Sequence, residues 1–102
     1  MTATFKNAHY NPQGVHSQNS SLNTVQTLTL PDVEWRRIKV LLQATGTNVR
    51  MTLDGQDPTS SFGFKIKADD PFIEIPIGAD TVLKFIEEAA SATLDYQFVK
   101  ID

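Results

Sequence analysis

The chain has 102 residues, of which 40% are hydrophobic and 21% charged, a size and composition typical of one small soluble domain. Nine basic and twelve acidic residues give a formal net charge of −3, which excludes the broad basic field that nucleic-acid binding requires. The absence of cysteine excludes disulfide scaffolds, thiolate zinc sites, iron–sulfur clusters and cysteine nucleophiles. Because a domain of this size has a marginal core, we expect it to depend on neighbouring molecules for part of its stability.

The beginning of the chain predicts an extended polar arm over residues 1–23, followed by a β-domain over residues 24–102. The arm is rich in amides and hydroxyls, with isolated apolar residues that bury too little surface to offset the entropy of ordering. It has no apolar run of the kind found in a signal peptide or a membrane span, so we expect neither. Two interpretations stay open: a free tail, or an arm that becomes ordered on a partner with Phe5 and Tyr10 filling pockets of that neighbour.

From residue 24 onward the chain shows the pattern of short strands separated by turns. Apolar and polar residues alternate, as in strands with one buried face, and Gly, Pro and Asp mark the turns between them. The predicted strands are residues 24–30, 36–44, 49–53, 62–67, 73–77 and 93–100. Pro76 predicts that its strand lies at a sheet edge or contains a bulge. The alternation assigns to buried faces Ile38, Val40, Leu42, Val49, Met51, Leu53, Phe62, Phe64, Ile66, Ile73, Ile75, Ile77, Leu94, Tyr96 and Phe98.

The segment 80–92 fits two kinds of secondary structure. Asp80 is a suitable helix cap and the apolar residues after it fit a helical stripe, whereas Leu83 and Phe85 alternate with Lys84 as in a strand. Strands at roughly ten-residue spacing are typical of a sandwich or small barrel, which favours a seventh strand over residues 81–87. The predicted fold is therefore all-β, a small antiparallel β-sandwich of about seven strands, jelly-roll or immunoglobulin-like, with an extended N-terminal arm.

No catalytic or metal motif is evident among the polar residues. The two histidines, His9 and His16, lie in the arm without an acidic or third imidazole ligand nearby, and no serine nucleophile motif accompanies them. The turn at residues 54–57 lacks the alternating oxygen ligands and the closing glutamate of a calcium loop. We therefore expect no enzyme activity, no cofactor and no metal. Trp35, beside three basic residues, could stack a base or a sugar, although a tryptophan at a strand start is more often a lid on the core.

Two segments resemble a known family. The run VRMTLDGQDPT at residues 49–59 and the stretch VLKFIEEAASATL at residues 82–94 resemble, in order and spacing, small phage virion proteins over roughly residues 24–99. The first run alone also resembles a turn in the accessory β-sandwich module of chitobiase-type glycoside hydrolases. The long amide-rich arm departs from the compact members of the phage family.

The residue types in the turn that both families share indicate a structural role. Asp54 is placed to accept hydrogen bonds from its own turn, and Gly55 to adopt a positive φ. Pro58 fixes the exit of the loop, and Thr59 can bond the backbone beside it. Arg50, on the polar side of its strand, is expected to brace this loop or to bind a neighbour's carboxylate. These residues are predicted to hold the loop in shape.

The resemblance to phage proteins implies a non-enzymatic structural protein of the virion. The preferred hypothesis is a capsid decoration or cement protein, made in the host cytoplasm and bound to the capsid surface through the major capsid protein or other virion proteins. The predicted partner-binding residues are Phe5, Tyr10 and Trp35. Pairing of strand edges around residues 73–77 would form a homo-oligomer, with a trimer favoured. We expect no nucleic-acid or membrane partner.

Two alternatives to the decoration protein stay open. The first is another virion part, namely a head-fibre base, a tail accessory or a fibre adaptor. The second is a carbohydrate-binding β-sandwich module, which would need a planar row of exposed aromatic residues. The aromatic candidates for such a row are Tyr10, Trp35, Phe72 and Tyr96.

Overall fold

The computed structural model of the protein describes residues 10–30 and 38–101, with the backbone alone at residue 101. Phe5 and Trp35, two of the predicted partner-binding residues, lie outside these ranges. Within them the strands are β1 (Tyr10–Pro12), β2 (Ser17–Asn19), β3 (Gln26–Thr27), β4 (Ile38–Thr45), β5 (Val49–Thr52), β6 (Phe64–Ile66), β7 (Ile73–Pro76), β8 (Lys84–Glu87) and β9 (Thr93–Ile101). None of the described residues forms a helix long and apolar enough to cross a membrane.

The strands form two sheets that enclose one core. In the five-stranded sheet, β1 and β2 both pair with β9, which pairs with β4, which in turn pairs with β7. The four-stranded sheet has the order β3-β8-β5-β6. Every strand pair is antiparallel. This arrangement confirms the predicted all-β sandwich class.

The core consists of the inward-facing residues of both sheets. In β4 the side chains of Ile38, Val40, Leu42 and Ala44 are buried and alternate with half-buried ones, as the sequence pattern predicts. The ambiguous segment 80–92 contains β8 and no described helix, so the preference for a strand there is confirmed. The other members of the core cluster are Leu22, Leu28, Val49, Met51, Ile66, Ile77, Leu83, Phe85, Ala92, Leu94 and Phe98.

Three residues assigned to buried faces are exposed, and this prediction was wrong for them. Phe62 is 49% exposed, Phe64 65% and Ile73 38%. Phe64 lies in β6, the last strand of the four-stranded sheet, and Phe62 just before it. Ile73 lies in β7, the last strand of the five-stranded sheet. An inward-facing side chain on an outermost strand has a neighbouring strand on one side only, so alternation alone does not bury it. Pro76 does lie in a strand at a sheet edge, β7, as predicted.

The described part of the predicted arm, residues 10–23, lies along the sandwich. Both β1 and β2 pair with β9, in registers that place Tyr10 opposite Ile101 and Ser17 opposite Tyr96. Leu22 is fully buried in the core, although it stands among polar residues in the sequence. The pairing of β1 and β2 with β9 uses backbone hydrogen bonds, which do not require apolar side chains.

Candidate functional site

The loop between β5 and β6 begins with a tight turn at Asp54. The Asp54 carboxylate accepts a hydrogen bond from Gln56 Nε2 at 2.6 Å and another from the Gln56 backbone N–H at 3.2 Å. These two bonds, the first being the stronger influence, hold the pKa of Asp54 below its ordinary value of 3.8. Gly55 has a φ of 87°, the positive region that its position in the turn was predicted to require.

The loop closes with a second turn after Pro58, whose side chain is buried. The Thr59 N–H donates to the Phe62 carbonyl at 3.1 Å, and the Phe62 N–H donates to the Thr59 carbonyl at 3.2 Å. Thr59 Oγ1 also accepts a hydrogen bond from the backbone N–H of Ser61 at 3.3 Å. Thr59 thus bonds the adjacent backbone through its side chain and its main chain.

Arg50 fixes the base of this loop. Its Nη1 donates to the carbonyl oxygen of Gly63 at 2.9 Å, and its Nε donates to Glu88 Oε2 at 2.6 Å. Asn48 Nδ2 donates to Glu88 Oε1 at 3.2 Å, and Lys65 Nζ lies 3.9 Å from Glu88 Oε2. Arg50 therefore ties the loop to the residue that follows β8. Glu88 was not identified from the sequence, because its partner lies 38 residues earlier in the chain.

The Glu88 carboxylate is held in its ionised form. Partial desolvation raises its pKa, but hydrogen bonds from Asn48 and Arg50 and the charges of Lys65 and Arg50 outweigh it, so the pKa lies below the ordinary value of 4.5. A carboxylate with a lowered folded-state pKa stabilises the fold above its unfolded-state pKa, and that contribution is lost as the pH falls through the folded-state pKa.

We therefore expect Glu88→Gln to lower the free energy of unfolding near pH 7, with a difference from the wild type that shrinks as the pH falls below about 4.5 and through the lowered folded-state pKa. Urea unfolding at a series of pH values measures this difference. Stability curves of the two proteins that run parallel over the whole range would contradict it.

The braced loop presents an apolar surface to solvent. Phe62 and Phe64 are exposed beside Met51 and Leu53, around a shallow cavity of about 370 Å³. We call Phe62, Phe64 and the half-buried Leu53 the hairpin surface, since Met51 belongs to the buried core. Two large aromatic side chains exposed next to each other where a hydrogen-bonded loop enters a strand are typical of a binding site. Sequence alternation placed both in the core, so it did not identify this surface.

The remaining predicted binding residues lie elsewhere. Tyr10 is partly exposed on β1, and its hydroxyl donates to the Glu74 carboxylate on β7, which also accepts a hydrogen bond from Lys39 Nζ at 2.9 Å. Tyr96 is half-buried and packs edge-on against Phe98, with ring centroids 6.1 Å apart. Tyr10 and Tyr96 therefore do not form a flat exposed row.

Among the described residues, no group of three or more His, Asp or Glu side chains is arranged to hold a metal ion. Comparison of the chain with known protein families, with curated proteins and with solved structures found no match.

Proposed function

We propose that this protein is a non-enzymatic structural component of a phage virion, a capsid decoration protein that attaches to the head through its hairpin surface. The observation that carries the attachment is the exposure of Phe62, at the end of the loop braced by Arg50, and of Phe64, at the start of β6. The assignment to a virion is supported by the resemblance of residues 49–59 and 82–94 to small phage virion proteins.

The bracing of the loop favours tight attachment. Binding through a mobile loop loses affinity because the loop must be ordered at the interface, whereas a loop already held by hydrogen bonds loses little. The Asp54 turn, the Thr59 turn and the Arg50 hydrogen bonds hold the loop in one shape before any partner is present. Burial of the two phenylalanines against a partner therefore contributes to affinity without the cost of ordering the loop.

The proposal includes a homo-oligomer, with a trimer favoured. β7 is the last strand of the five-stranded sheet, and Phe72 and Ile73 are exposed at this edge. An edge strand with apolar neighbours can pair with a strand of another copy. Analytical ultracentrifugation measures the number of copies.

The proposed attachment is tested by Phe64→Ser in a particle-binding assay with undecorated heads of the encoding phage. We expect occupancy at a fixed protein concentration to require at least about tenfold more of this variant, because loss of a central aromatic anchor weakens binding strongly. Val15→Ser is the control, since Val15 is an exposed apolar residue outside the hairpin surface. Equal binding of both variants would contradict attachment through the hairpin surface.

The place on the particle distinguishes a decoration protein from other virion parts. Electron microscopy of purified particles with a label on residue 102 locates the chain. Labels spread over the head support the decoration role, whereas labels at the neck, tail or fibres assign the protein to the alternative of a fibre base or tail accessory. Absence of the chain from purified particles would contradict a virion role altogether.

A further inference from the structure

The outer face of the five-stranded sheet contains a second cavity, of about 260 Å³. Its floor is formed by two cross-strand pairs between β4 and β9, Leu41 with Gln97 and Gln43 with Asp95. His16 lies just before β2, which pairs with β9, and Phe72 lies just before β7, which pairs with β4. The two residues therefore line the cavity on either side of the β4–β9 pair. We call these six residues the outer-face pocket.

The polar groups of the outer-face pocket mainly accept hydrogen bonds. The amide nitrogens of both glutamines already donate to backbone carbonyl oxygens of the chain, at 3.0 Å for Gln43 and at 2.9 and 3.2 Å for Gln97. Their amide oxygens and the Asp95 carboxylate supply the acceptors. A ligand that complements this set must donate hydrogen bonds.

The Asp95 carboxylate has few partners within the described part of the protein. Its Oδ1 is buried without a hydrogen-bond partner among residues 10–30 and 38–101, and its Oδ2 lies 3.9 Å from His16 Nε2, which is longer than a hydrogen bond. By contrast, Glu74 on the same sheet accepts hydrogen bonds from Lys39 and Tyr10. Since a partly buried carboxylate without a close cation is unfavourable, this position favours a positively charged ligand.

We infer that the outer-face pocket binds a guanidinium group, as an arginine side chain of the protein to which this chain attaches. The inference rests on the proposed function for the origin of that arginine. A guanidinium donates several hydrogen bonds from one plane, which suits a carboxylate next to amide oxygens. Phe72 and Leu41 supply apolar surface for the methylene stem and for stacking of the guanidinium plane.

The test is titration of the full ¹⁵N-labelled chain with N-acetyl-arginine amide, followed by amide chemical shifts. N-acetyl-citrulline amide, which has the same shape without the charge, is the control ligand. We expect arginine, and not citrulline, to shift the amides of residues 41–43 and 95–97. Asp95→Asn should weaken arginine binding at least about tenfold. Glu74→Gln, which removes one negative charge from the same sheet, should change it less than about twofold.

In the titration, three results would overturn the inference: no shifts at these residues, equal shifts with citrulline, or equal weakening by both variants. The particle-binding assay separates the inference from the proposed function. If Asp95→Asn occupies heads as the wild type does while Phe64→Ser does not, the inference falls and the proposed function stands. If the chain is absent from particles, the proposed function falls and the titration still decides whether the pocket binds guanidinium.

Discussion

Replacing Leu22 by alanine is expected to lower the free energy of unfolding by about 3 kcal/mol. Leu22 is fully buried in the core cluster, and its carbonyl oxygen accepts a hydrogen bond from the Glu87 N–H at 2.9 Å at the end of β8. Shortening the side chain leaves a cavity that the two surrounding sheets can only partly close. For a domain whose total stability is of the order of 5–15 kcal/mol, this is a large loss. Urea unfolding followed by circular dichroism measures it.

Val15→Ala is the matched control in the same segment. Val15 is 82% exposed, so its truncation should change the free energy of unfolding by less than about 0.5 kcal/mol. If Leu22→Ala were as mild as Val15→Ala, residues 10–23 would not belong to the cooperative folding unit. The fold also limits how the arm can be tested, since deletion of residues 1–20 would remove β1 and β2 from the edge of β9. Single substitutions are therefore the better test of partner binding.

The strands that could be predicted from the sequence have a continuous buried face. β4 pairs along its length with β9 and partly with β7, so its alternating residues are either in the core or on the outer face. Residues 81–87 were assigned to a strand from the regular spacing of strands along the chain, because their local pattern also fits a helix. In the structure Leu83 and Phe85 are buried there and Lys84 is half-buried. In β4 the local pattern and the tertiary packing agree, whereas in β8 the spacing of the strands was the better guide.

Alternation does not show where a sheet ends. Phe64 and Ile66 are on the same face of β6, yet Ile66 is buried and Phe64 is largely exposed. The burial of Leu22 likewise depends on residues distant in sequence, because the segment before it pairs through Ser17 with Tyr96 near the other end of the chain. The hairpin surface and the packing of the arm both follow from which strands lie side by side. A single sequence does not specify this.

The candidate site also has features that could be predicted from the sequence and features that could not. Turn chemistry acts over two or three residues, so the hydrogen bonds of Asp54 and Thr59 and the positive φ of Gly55 could be predicted. The role of Arg50 could be predicted only in part. Its contact with Gly63 lies within the loop, whereas its contact with Glu88 joins residues that are distant in sequence.

Gly46→Ala is expected to cost at least about 3 kcal/mol of unfolding free energy, from strain and a steric clash together. Gly46 lies just after β4, where the chain crosses to the other sheet, and has a φ of 85°. A Cβ atom there would lie 2.3 Å from the carbonyl oxygen of Ser91, in the turn before β9. That oxygen belongs to the backbone, so relief requires the two crossings between the sheets to move apart.

Gly14→Ala separates the clash from the conformational strain. Gly14 has a φ of 87°, almost the same as Gly46, but a Cβ added there meets no atom of the described residues within 4 Å. Its replacement should therefore show the cost of the positive φ alone, about 1 kcal/mol. The difference between the two variants in urea unfolding measures the cost of separating Gly46 from Ser91. Equal costs would contradict this prediction. They would mean that the turn before β9 moves away from Gly46 at no measurable cost, so that the close approach of Gly46 and Ser91 does not constrain the sandwich.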